Sequence, residues 1–129
     1  MPQELKDSDF TENVVLLNLS DFYLPNMDGY EMYEATRGYW VMNLDNAKAN
    51  IEYALAVGDG VIREMYKVKD WYPAGTTYRL KKYVREDVLP ADRIEFVGNI
   101  APDEVKSKYI GKKVQTSRNP VHIIMGGAV

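Results

Sequence analysis

The strongest constraint on this chain is a β-hairpin. Tyr53-Ala54-Leu55-Ala56-Val57 reads as a strand. Gly58-Asp59-Gly60 supplies the positive φ that a tight turn needs, and Val61 returns as a long strand to Trp71. Side chains alternate along that return: Ile62, Glu64, Tyr66 and Val68 fall on one face, and Arg63, Met65, Lys67 and Lys69 on the other. An antiparallel pair of this length argues against a doubly wound fold, in which strands alternate with crossover helices.

The flanking segments agree. Residues 1–12 read as a flexible acidic lead-in, and Val14 to Leu19 as a buried strand. Tyr30 to Arg37 is predicted helical, with Asp28 as N-cap, Glu31 completing a capping box and Gly38 as a left-handed stop. Tyr39 to Met42 suggests a short strand, and Asn43 or Asp45 caps a brief helix through Asn50. Tyr78–Arg85 is an exposed strand or an excursion, and Arg93–Val97 is a strand. Pro102 opens a short helix over Asp103–Tyr109, which Gly111 ends. Lys112–Gln115 and Val121–Met125 are the last strands, before a loose tail over 126–129. These elements predict one α+β domain over residues 13–125. Its core is a small mixed, mainly antiparallel sheet or barrel, with two or three short helices on the rim.

Composition narrows the chemistry. With no cysteine in 129 residues, a disulfide scaffold, a thiolate metal site and a cysteine nucleophile are excluded. One histidine, His122, excludes a two-histidine mechanism, and it lies in an apolar strand without a signalled partner. No serine sits in a nucleophile elbow, and no glycine-rich loop has the strand–loop–helix setting of a phosphate cradle. Nineteen acids offer no singled-out pair. A nuclease-like use of Glu64 or Asp70 with Lys67 is the weakest option, because their face parity does not align. The expectation is therefore a non-catalytic protein with no metal and no cofactor. The polar start and the short apolar runs give no leader or membrane span, so a cytoplasmic setting is expected.

Net charge is −3, but it is uneven: residues 1–34 hold eight acids and one base, and the remaining residues hold 15 bases and 11 acids. The aromatics are 10 Tyr, 2 Trp and 3 Phe, so most carry a polar tip. Three places join aromatics to basic or amide groups. These are Arg37-Gly38-Tyr39-Trp40, Asp70-Trp71-Tyr72-Pro73, and Tyr78–Arg85 (including Arg79) backed by Lys112, Lys113, Arg118 and Asn119. Aromatic walls beside cations suit a flipped or single-stranded base with its adjacent phosphate. The same residues also suit core and rim packing, with Arg37 capping carbonyls. The residues alone leave both readings open.

The stretches Tyr33–Trp40, Tyr53–Val57 and Gly60–Pro73, followed by Phe96-Val97-Gly98, Lys108–Val114 and Asn119-Pro120-Val121, resemble a group of bacterial proteins, over roughly residues 14 to 124. The layout is also similar to the PUA-like fold, especially its EVE and ASCH branches. Members of that fold are small β-barrels that bind RNA or modified DNA bases in an aromatic pocket. The resemblance implies a pocket lined by Arg37, Tyr39 and Trp40, with Trp71 and Tyr72 at its rim. Arg37 would meet a phosphate or base edge, and the indoles would stack. Arg79, Lys112, Lys113 and Asn119 would contact the nucleic-acid backbone. The alternative partner is a protein, with the chain acting as an accessory or antitoxin-like subunit. The acidic head and the tyrosine-rich surface motivate that alternative.

Overall fold

The structure, a computed structural model, describes residues 4–19, 26–38, 40–75, 93–114 and 121–126. The strands are β1 (Glu4–Leu5), β2 (Asn13–Asn18), β3 (Tyr53–Gly58), β4 (Val61–Pro73), β5 (Ile94–Ile100), β6 (Lys113–Val114) and β7 (Val121–Met125). The helices are α1 (Gly29–Thr36), α2 (Leu44–Asn50) and α3 (Asp103–Lys106). The strands form one mixed sheet in the order β1-β6-β4-β3-β2-β7, with β5 also on β4. β4 is long enough to meet β6 at Val61 and β5 from Tyr66 to Pro73. The β1–β6 and β2–β3 pairs are parallel and the others antiparallel. This is an α+β fold. Among the described residues β1 and β7 do not pair, so the sheet is not closed into a barrel. The predicted Tyr78–Arg85 segment lies outside the described residues.

The hairpin forms as its glycines require. Asp59 and Gly60 both take positive φ, 53° and 76°, the geometry of a two-residue turn matched to strand twist. A bulge then corrects the simple alternation. Ala56 pairs Glu64 but Val57 pairs Ile62, which leaves Arg63 as an extra residue. Ile62 therefore packs with Met65, on the opposite face from Tyr66.

Both faces of the sheet are covered. On one, Val15, Leu17, Ala54, Ala56, Tyr66, Trp71 and Phe96 pack with Ala35 of α1 and Ala47 of α2. On the other, Val14, Leu16, Leu55, Val57, Ile62 and Met65 pack with Leu5, Phe10, Tyr109 and Ile124. This explains the unbroken apolar run of β2, since a strand buried on both sides has no polar face to show.

Two local expectations change. Within the described part of the lead-in, Leu5 and Phe10 are buried and the Phe10 ring stacks on Tyr109 at 4.8 Å. At the end of α1 the Asp28 cap forms as predicted, accepting from Glu31 N at 2.8 Å. Gly38, however, is not in the left-handed region. It is needed for space: a Cβ there would lie 3.0 Å from Glu95 Cβ. Gly98 plays a similar part at the β4–β5 crossing, where a Cβ would overlap the Lys67 carbonyl oxygen.

Candidate functional site

The C-terminal end of α1 and the residues after it run along the outer side of β5. Trp40 exchanges both backbone hydrogen bonds with Ile94, and Phe96 N donates to Arg37 O at 3.0 Å. Trp71 pairs with Phe96 across the β4–β5 ladder, and its indole meets the Phe96 ring edge-on at 5.3 Å. Arg37, Trp40 and Trp71 therefore lie against the same stretch of β5. All three are buried there. Trp71 is 1% exposed and Trp40 8%, and both belong to the helix-side apolar cluster. Neither offers a ring face to solvent.

Arg37 is committed to structure. Its guanidinium reaches Glu34 at 2.8 Å and Glu95 at 4.0 Å, and its Nε donates to Phe96 O at 2.9 Å. The three charged side chains are 4%, 2% and 0% exposed. Tyr33 lies against the same guanidinium at 5.4 Å, and its hydroxyl accepts from Gly98 N. Carbonyl capping by Arg37, one of the two readings left open above, is what the geometry contains.

Two polar atoms in this region are buried without a hydrogen bond, Tyr66 OH and Trp71 Nε1. The Trp40 Nε1 group, by contrast, donates to Thr36 O at 2.7 Å. Burial pushes the Tyr66 phenol strongly up, the Glu64 carboxylate adds to the shift, and the neighbouring Thr36 hydroxyl opposes it without closing a hydrogen bond.

Tyr72 is different. It is half-buried, and Lys48 of α2 stands 5.7 Å from its ring centre. The same ammonium lies 3.2 Å from Asp70 Oδ1. Asp70 sits below the usual carboxylate range, chiefly because Trp71 N donates to it, with Lys48 assisting. Lys67 and Lys69 stand exposed on β4 before Tyr72, Lys67 within 3.9 Å of Glu52. Lys48 could not be found from the sequence, being 22 positions from Asp70. Lys67 and Lys69 were visible as alternate bases on the long strand.

The remaining predicted residues are not gathered here. Lys113 pairs with Val61 at the first residue of β4, and Lys112 accepts from Ile62 N. Val61 and Trp71 are ten strand positions apart, roughly 33 Å at an ordinary strand rise. Tyr39, Arg79 and Asn119 lie outside the described residues. His122 is exposed and sits 3.0 Å from both oxygens of Asp7, a partner the sequence did not signal. A second polar group also went unforeseen, because its members are 96 to 98 positions apart. Glu12 accepts from the Tyr109 hydroxyl and from Lys108 Nζ, while Tyr109 OH accepts from Thr11 N. Among the described residues no group of three or more His, Asp or Glu side chains is placed to hold a metal ion. No described helix is long and apolar enough to cross a membrane.

Comparison of the chain with protein-family models, with curated proteins and with solved structures finds no match in any of the three.

Proposed function

We propose that this chain is a non-catalytic module that binds single-stranded nucleic acid or a modified base, in a cytoplasmic setting. The accompanying fold reading is a small PUA-like barrel, to which the mainly antiparallel sheet with short flanking helices is suited. The binding surface is the Tyr72 rim rather than the two indoles. One observation carries this: among the described aromatics of the predicted site Tyr72 is the one that is not buried, and a lysine stands over its ring. A base stacks on such a ring, and Lys48, Lys67 and Lys69 attract the phosphates. Lys112 and Lys113 can extend the basic track along β4 towards β6.

Titration of labelled single-stranded and modified duplex oligonucleotides tests the proposal. A stacked base is worth about 1–3 kcal/mol, so Tyr72→Ala is expected to weaken binding roughly 5- to 150-fold. Absence of binding at low salt, where phosphate attraction is greatest, overturns it. A second reading, a protein partner, is favoured by the exposed apolar side chains of Tyr30, Val41, Ile100 and Met125. Recovery of one stoichiometric, nuclease-insensitive protein partner, with no oligonucleotide binding, would select it.

A further inference from the structure

We infer that Asp70 selects the base at the Tyr72 surface, favouring bases with an exocyclic amino group over thymine and uracil. This rests on the nucleic-acid reading above. Lys48 Nζ bonds Asp70 Oδ1 at 3.2 Å and stands over the Tyr72 ring, 5.7 Å from its centre. One ammonium thus fixes the carboxylate beside the ring. Oδ1 is already used, by Trp71 N at 2.8 Å and by Lys48. Among the described residues no hydrogen bond uses Oδ2, and the side chain is 42% exposed.

An ionised carboxylate can only accept. A base stacked on Tyr72 can turn its polar edge towards the carboxylate that shares Lys48 with the ring. The amino groups of cytosine and adenine donate there, whereas O4 of thymine or uracil presents an acceptor to an acceptor. A carboxylate inside a phosphate-attracting surface weakens binding in general. Its placement at the aromatic rim, neutralised on one oxygen by Lys48, serves discrimination instead.

The test compares oligodeoxycytidylate with oligothymidylate of equal length, at mildly alkaline pH and low salt, on the full chain. The two pyrimidines share a backbone and differ in the 5-methyl group of thymine and on the pairing edge, where cytosine carries an amino group at position 4 and thymine a carbonyl at position 4 with a proton on N3. The wild-type chain is expected to prefer deoxycytidylate roughly tenfold, the discrimination one charge-assisted hydrogen bond supplies. Asp70→Asn, whose amide both donates and accepts, is expected to bring the ratio close to one, mainly by tighter thymidylate binding. A wild-type ratio within about twofold, with Tyr72→Ala weakening both ligands, overturns the Asp70 role and leaves the binding surface standing. A preference that survives Asp70→Asn overturns it equally. Failure of both oligonucleotides to bind removes the binding reading and this inference together.

Discussion

Replacing Arg37 by Met separates a structural role for this residue from a ligand-contacting one. Met keeps an unbranched stem of similar reach but carries no charge. The substitution removes the 2.8 Å ion pair to Glu34, the 4.0 Å approach to Glu95 and the Nε bond to Phe96 O. It leaves two buried carboxylates with one cation fewer, and both are at most 2% exposed. Breaking a buried pair by deleting one partner costs about 3–5 kcal/mol, because the desolvated charge that remains is uncompensated. Against a total stability of roughly 5–15 kcal/mol, that is a large fraction. Urea unfolding followed by the fluorescence of the two tryptophans reads the loss as a lower midpoint at constant slope. The double variant Glu34→Gln, Arg37→Met is expected to recover part of it, since one of the two buried carboxylates is then neutral. A loss under about 1 kcal/mol, together with collapsed oligonucleotide affinity, would refute the reasoning and put Arg37 in the binding surface.

Two further outcomes follow from particular contacts. Gly98→Ala is expected to cost about 1–3 kcal/mol in the same urea assay, because its Cβ overlaps the Lys67 carbonyl oxygen; a loss below about 0.5 kcal/mol would mean the β4–β5 crossing yields without strain. Burial acts to raise the Glu12 pKa, but the combined hydrogen bonds from Tyr109, Lys108 and Thr11 outweigh it and hold the group below its ordinary 4.5. A depressed carboxyl pKa stabilises the fold above the unfolded value and loses that contribution as pH falls through the folded one. The stability gap between wild type and Glu12→Gln is therefore expected to be present at neutral pH and to close below about pH 4.5. A gap that stays constant across this range would rule out the linkage.

Much of the fold was legible because its signals are local. Asp28 and Glu31 announce the start of α1, Gly58-Asp59-Gly60 announces the hairpin, and branched runs announce β2 and β7. What escaped was set by long-range packing. A bulge is invisible to alternation, so Ile62 was put on the wrong face. Gly38 looked like a helix stop by its position, but a crowded neighbour, Glu95, explains it. Glu34 and Arg37 stand at i, i+3, a spacing equally suited to a solvated helix face; only the tertiary fold buries them.

The candidate site was legible as a cluster of residues but not as a surface, and the reason lies in β4. Trp71 and Tyr72 are adjacent on a strand, so they must point to opposite sides of the sheet. Strict alternation from Tyr66 and Val68 would turn Asp70 and Tyr72 towards the helices and leave Trp71 outside. The register shift after Val68 inserts Lys69 as an extra residue, with Gly98 opposite Val68 and Val97 opposite Asp70. Trp71 thereby joins Tyr66 and Phe96 in the helix-side core. Tyr72 is left with its ring under Lys48. One bulge thus decides which of two neighbouring aromatics is buried in the core and which stays partly exposed. A pocket built on both cannot form while that bulge is in place.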